Sequence, residues 1–285
     1  QRFGPQPGEA LLGALGDDPD AKVRAAAVYV LGQHSGAGAR KQVAARLGDS
    51  DPAVRRRALE ALSRMGLEDY KPNFAPVKDV YALVNDEDRF VRFAARLALE
   101  RMPRAAWENL AFQETNLRGA IESLVALAHT AKVAWEFDRL FEREIELMKQ
   151  ELPADDTLRL MRAFQLTAAR AEGGAPTDVR RKVGELLLSR FPSGDRFVNR
   201  EYARMLAYCE TPGALARILA ALAKDDDPQQ QIHYVYCIRN IRSGWTAPQR
   251  AQLIAWFEKA QRWRGGASFP GFIEFLFRST LDLMT

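Results

Sequence analysis

The side chains best suited to bond making or metal binding are two cysteines, Cys209 and Cys237, and three histidines, His34, His129 and His233. The cysteines form no Cys-x-x-Cys pair and belong to no ligand cluster of the kind a zinc or redox site needs. No histidine has a second histidine three or four residues away, and none sits in a His-Glu-x-x-His context. Gly265 and Gly266 lack the spacing and the preceding strand of a phosphate loop. There remains a recurrent arginine, Arg24, Arg55, Arg92 and Arg180, each preceded by a valine. A row of guanidinium groups could grip phosphates, or it could hold a framework together by pairing with carboxylates. We expect no catalytic residue, no metal site and no cofactor in this chain.

The neighbours of these arginines bear on the choice. Five residues before Val23, Val54 and Val91 stand Asp18, Asp49 and Asp86, and three before stand Asp20, Asp51 and Asp88. Four and eight residues after come Ala27 and Leu31, Ala58 and Leu62, Ala95 and Leu99, and, following Val179, Val183 and Leu187. That spacing puts the apolar residues on one helical face. Aspartates in the turn before a helix cap its free N–H groups and suit its dipole. Pro19 and Pro52 fit a helix start. "GEALLGALG", "AGARKQVAARLG" and "APVKDVYALV" supply a preceding helix for each unit. The valines are 31 and then 37 residues apart. At such a period helix pairs must stack to bury their faces, which predicts an all-α solenoid of about seven pairs.

These residues resemble HEAT repeats, particularly the short bacterial variety related to phycobilin-lyase repeats. The resemblance implies a structural ladder, in which the arginine bonds to a turn aspartate or to a carbonyl of the neighbouring repeat. Asp18, Asp49 and Asp86 are then available to Arg24, Arg55 and Arg92, and Arg56, Arg57, Arg96, Arg181 and Lys182 are left for the exposed face. The HEAT-like alkylpurine DNA glycosylases, which use aromatic residues and an aspartate in a basic groove, supply an enzyme alternative. Trp135 and Asp138, spaced i,i+3, are the pair that would serve it. A helical tryptophan more often belongs to the core.

Forty-one basic against thirty-seven acidic residues give a net charge of +4, spread along the chain. A dedicated nucleic-acid binder more often gathers its charge into one patch. Hydrophobic residues, at 47%, suffice for a continuous core, and no apolar run is long enough to span a bilayer. The opening "QRFGPQPGEA" has neither an initiator methionine nor a signal-peptide core. We therefore expect a segment of a longer protein.

Beyond the regular repeats (8–102) we expect degenerate ones (103–194) and C-terminal repeats with a cap (195–285), all in one domain. Boundaries near 102–116 or 172–176 are the alternative. "MPRAAWENLAFQETN" reads as a proline and a polar loop. After Gly194, Val198, Tyr202 and Leu206 restore the repeat spacing, as do Ile232, Tyr236 and Asn240. Thr211 and Thr246 are expected N-caps. In this register Cys209 and Cys237 are offset by six residues, about 9 Å along parallel axes. That is too far for a disulfide, so two buried thiols are expected.

The segment "QIHYVYCIRNIRSGWTAPQRAQLIAWFEKAQRWRGGASFPGFIEFL" resembles the end of the HEAT region in large exported planctomycete and verrucomicrobial proteins that join a dehydrogenase-like propeller to a cytochrome c domain. The resemblance implies a periplasmic or exported linking module that binds a protein partner or the neighbouring domains of its own polypeptide. The chain itself carries no Cys-x-x-Cys-His haem motif. Near its last turns, His233, Tyr234, Arg239, Trp245 and Arg264 are residue types favoured at interfaces and form the candidate binding patch. Closing the solenoid end is their other expected use. Tight, steeply salt-dependent DNA binding would mark the alternative, a stand-alone nucleic-acid-binding HEAT protein or glycosylase.

Overall fold

The computed structural model describes residues 7–66 and 76–281. Sixteen α-helices and no strands are found among them. The chain divides into two compact units, one of Gln1–Glu144 with Ala163–Glu172 and one of Ile145–Arg162 with Gly173–Thr285.

In the first unit α1 (Glu9–Leu15), α3 (Ala37–Ala45), α5 (Val77–Ala82) and α7 (Glu108–Gln113) alternate with α2 (Ala21–Leu31), α4 (Pro52–Arg64), α6 (Arg89–Arg101) and α8 (Leu117–Thr130). Each odd helix packs on the even helix that follows it, and α2, α4, α6 and α8 pack on one another in order. A short amphipathic helix cannot hide its apolar stripe alone, but one held between neighbours can. Val28, Val54, Leu62, Val80, Val91, Leu99 and Leu124 are accordingly buried. The unit also takes in the start of α9 (Ala134–Met148) and the end of α10 (Ala154–Arg170), where the Phe141 and Phe164 rings meet at 5.4 Å.

In the second unit α11 (Thr177–Arg190), α13 (Ala214–Lys224) and α15 (Ala247–Ala260) alternate with α12 (Arg196–Tyr208), α14 (Pro228–Ile238) and α16 (Phe269–Leu281). Here α12 packs on α14 and α14 on α16. The core holds Phe191, Ile218, Tyr234 and Phe257. From the sequence the last helix reads as running from Pro270 to Met284, and that end lies outside the described residues.

The turns explain the periodicity. Asp20, Asp51, Asp88, Asn116, Asp195 and Asp227 cap α2, α4, α6, α8, α12 and α14 by accepting from the N–H two residues on. The residue two earlier, Asp18, Asp49, Asp86, Glu114, Ser193 or Asp225, accepts from the N–H of the cap itself. The turn phrase therefore recurs in both units, in altered letters where sequence alone did not show it. Before α8 it is written Glu114-Thr115-Asn116, with Gly119 in the place of the valine. A Cβ there would lie 2.1 Å from Asn85 Oδ1. The stretch 102–116, expected as a polar loop, contains a tight turn at Arg104–Ala106, the fully buried Trp107 and α7.

Two further expectations need correcting. Asp227 sets the register of α14, so its inward residues are Gln230, Tyr234 and Ile238, whereas Tyr236 and Asn240 are exposed. Thr211 does not cap α13, which starts at Ala214 after Gly213 in the left-handed region (φ 83). Thr211 is buried against Gly184 instead. Thr246 does cap α15, in a reciprocal box with Gln249.

Candidate functional site

The recurrent arginines work inside the framework. Arg24 Nε and Nη2 donate to the two carboxylate oxygens of Asp49, each at 2.8 Å, while Nη1 donates to the carbonyls of Asp18 and Pro19. Arg55 repeats this on Asp86, at 2.7 and 3.0 Å, and on the carbonyls of Asp49 and Ser50. Each arginine thus closes its own turn and clamps the next one through a bidentate pair. The carboxylate partner belongs to the following repeat, so Asp18 offers Arg24 its carbonyl and no ion pair. Arg24's hydrogen bonds hold the Asp49 carboxyl below the usual carboxylate range.

The ladder stops at Arg92. This buried side chain closes its own turn on the Asp86 and Glu87 carbonyls, but its Nε has no partner. Arg180 is not a rung at all. It lies on α11, which starts after Pro176 without an aspartate phrase, and its Nη2 reaches Thr177 Oγ1 at 3.4 Å. In the second unit amides take the arginine position. Asn199 Nδ2 donates to the Ser193 carbonyl at 3.0 Å, and Gln231 Nε2 donates to that of Asp225. These bonds span six residues, as do those of Arg24, Arg55 and Arg92 to Asp18, Asp49 and Asp86.

The five residues expected as a binding patch differ in exposure and in what they touch. Tyr234 is core, its ring edge-on to Phe191 at 6.0 Å. His233 is half-buried, with Nε2 3.0 Å from the Arg200 carbonyl and 3.4 Å from Cys237 Sγ, and burial holds it below the ordinary histidine value. Trp245 Nε1 donates to the Ile241 carbonyl at 2.8 Å and ties down the turn before α15. Arg239 lies over the Tyr236 and Phe275 rings at 4.2 and 5.4 Å, and Arg264 is exposed. The His233–Cys237 contact was missed, although its i,i+4 spacing was there to be read. Cys209 and Cys237 are both buried and unpaired, and burial pushes each thiol up to about 12, which suppresses the reactive thiolate. Among the described residues no group of three His, Cys, Asp or Glu side chains could hold a metal ion.

A different surface in the first unit gathers the residue types of an interface. Tyr29 on α2 and Phe90, Phe93 and Leu97 on α6 are exposed, Phe93 by 49%. Arg57 and Arg64 lie over Tyr29 at 5.6 and 5.1 Å, Arg89 over Phe90 at 4.6 Å and Arg96 over Phe93 at 4.8 Å. Between α4 and α6 this face opens into a cavity of about 380 Å³ lined by Arg56, Glu60, Arg64, Phe93, Leu97 and Arg101, among others. The six residues named stand two, six and ten places after the repeat valines Val54 and Val91, the row beside the buried one. That displaced row is the signal that could have found it.

The other expected surface residues are paired. Glu60 holds Arg56 at 3.4 Å and Arg57 at 2.7 Å, Arg96 meets Glu100 and Glu122, and Arg181 and Lys182 meet Glu185 and Asp178. Trp135 is exposed, not core, with Asp138 exposed beside it on α9, whereas Trp107 and Trp256 are buried.

Residues 8–100 match the profile of the HEAT-repeat family. No curated protein sequence matches the chain. Among solved structures the chain is similar to an engineered protein, at 20% identity, over 83% of this chain and 98% of that one, with a TM-score of 0.32. It is also similar to the CpcE–CpcF complex of phycocyanin lyase from Nostoc sp., at 17% identity over 88% and 94% of the two chains, with a TM-score of 0.39. Human deoxyhypusine hydroxylase in complex with glycerol is 16% identical over 96% and 97%, with a TM-score of 0.34. No helix among the described residues is long and apolar enough to cross a membrane. Residues 8–100 are HEAT repeats, and the chain is a repeat-built, all-α solenoid protein.

Proposed function

We propose that this chain is a non-catalytic scaffold that binds a protein partner, or neighbouring domains of its own polypeptide, on the outward faces of its even-numbered helices. The observation that carries this is the row of exposed aromatic rings under guanidinium groups on α2, α4 and α6. Aromatic residues and arginine are enriched at interfaces and supply most of their energetic anchors. Placing a photo-crosslinking amino acid at Phe90 of the full gene product, in its own host, tests the reading. A cross-linked polypeptide is the expected product. A cross-linked nucleic acid, with binding that falls steeply as salt rises, would support the nucleic-acid alternative instead.

The finer reading is that this is the HEAT segment of a larger exported haem-binding or dehydrogenase-like protein, and its support is the C-terminal resemblance. Several residues that carry that resemblance hold the fold here: Trp256 Nε1 donates to Gln231 Oε1 at 2.8 Å, and Thr246 and Gln249 box the start of α15. Reading the coding frame on both sides decides it. A signal peptide upstream and a Cys-x-x-Cys-His downstream are expected, and a start codon just before Gln1 with a stop just after Thr285 would overturn it.

A further inference from the structure

We infer that the groove between α4 and α6 is the docking site for a short acidic segment of a partner protein that carries a bulky apolar side chain. This rests on the protein-binding reading above and adds the place and chemistry of the contact. The floor is apolar: Phe93 and Leu97 are exposed on α6 and border a cavity at the small end of the range for ligand pockets. The rim is cationic. Arg56, Arg64 and Arg101 line it against the single carboxylate of Glu60, which Arg56 and Arg57 already engage. Arg64 and Arg101 are exposed, and among the described residues neither has a carboxylate partner. Arg64 rests on the Tyr29 ring, and Arg101 donates to the Ser63 carbonyl at 2.9 Å.

The extent of the charge favours a short ligand over a long polyanion. Beyond α6 the surface alternates in sign, with Arg96 held by Glu100 and Glu122 and His129 lying 2.7 Å from Glu100. A phosphate backbone continuing across α8 would meet those carboxylates. A segment with one or two acidic residues beside an apolar one places its charge on Arg64 and Arg101 and its apolar group on Phe93 and Leu97. It also fits within the length of α4 and α6, about 20 Å for helices of this size.

Selection of random displayed peptides on the full chain tests this. Enriched peptides should combine Asp or Glu with Leu, Phe or another bulky apolar residue. Each arginine reversed in R64E/R101E should weaken their binding by about tenfold or more, and F93S should do so independently. R181E/K182E, in the second unit, should leave binding unchanged. All these positions are at the surface, and circular dichroism confirms folding. Enriched peptides that are indifferent to R64E/R101E and to F93S would overturn the groove while leaving the scaffold reading in place. Enrichment of neutral or basic peptides, or of none, would overturn the groove as well. The photo-cross-link at Phe90 then decides the scaffold reading separately. Tighter binding of a single-stranded oligonucleotide than of any selected peptide would overturn both.

Discussion

The two units solve one problem with different chemistry. Each must close the turn before an even-numbered helix, and each does so with a side chain that bonds back to a carbonyl six residues earlier. In the first unit that side chain is arginine, long and charged enough at Arg24 and Arg55 to reach on to the next carboxylate as well. In the second it is Asn199 or Gln231, and the spare amide oxygen of Gln231 accepts from Trp256. The shared requirement is the closed turn. The link between repeats is a separate addition: in the first unit Arg24 and Arg55 make it with the same side chain, whereas in the second it falls to other residues, Arg196 on Asp227 and Trp256 on Gln231.

The largest effect should come from titration, and in the first unit alone. Buried Glu144 in the first unit receives one hydrogen bond, from Thr167 Oγ1 at 2.6 Å, and burial raises it from 4.5 to about 8. The folded chain then keeps a proton that the unfolded chain releases, so this group costs stability as pH climbs from about 4.5 to about 8. Glu144→Gln should abolish that loss and gain a few kcal/mol at the alkaline end, measured by denaturant unfolding across pH. The ladder has the opposite sign. Asp49 contributes above its unfolded value of 3.8, and its contribution disappears as pH falls through its depressed folded value.

Removing the links compares them directly. Arg55→Leu strands the nearly buried Asp86 carboxylate and should cost about 3 kcal/mol, with hydrogen exchange accelerating around α4 and α6. Gln231→Leu leaves Trp256 Nε1 and the Asp225 carbonyl without partners and should cost about 2 kcal/mol, with no dependence on salt or on acid pH. If both losses respond alike to pH, the distinction between the units is wrong. The smallest effect should be the same in each: Asp51→Ala and Asp195→Ala remove equivalent caps and should cost about 1 kcal/mol apiece.

Much of the fold was legible because the aspartate turn and the valine stripe are local. Asp-x-Asp before a valine marks a cap in any context, and Asp20, Asp51 and Asp88 behaved accordingly. Legibility failed where a neighbour had rewritten a letter. Gly119 replaces the valine because Asn85 fills its space, and Gln230 replaces it on α14, where it accepts from Arg200 Nε at 2.7 Å. The direction of the ladder was also hidden, since spacing says that Asp18 and Asp49 are both near in sequence without saying which carboxylate Arg24 reaches. The burial of Tyr234 was hidden for a similar reason. His233, Tyr234, Arg239, Trp245 and Arg264 are the right residue types, but only the register of α14 shows that Tyr234 points inward. The arginine–aromatic face of α2, α4 and α6 lay in an offset row of the same repeats.

The arginine clamp also gives the first unit a head and a tail. A repeat presents a guanidinium toward its successor and a carboxylate toward its predecessor, as monomers do in a head-to-tail polymer. Copies of the stretch from Asp49 to Asn85 could therefore be spliced in between existing repeats with every clamp satisfied. An inverted or terminal copy would leave one charge unmatched. The unclamped Arg92 marks where such lengthening of the native array ends.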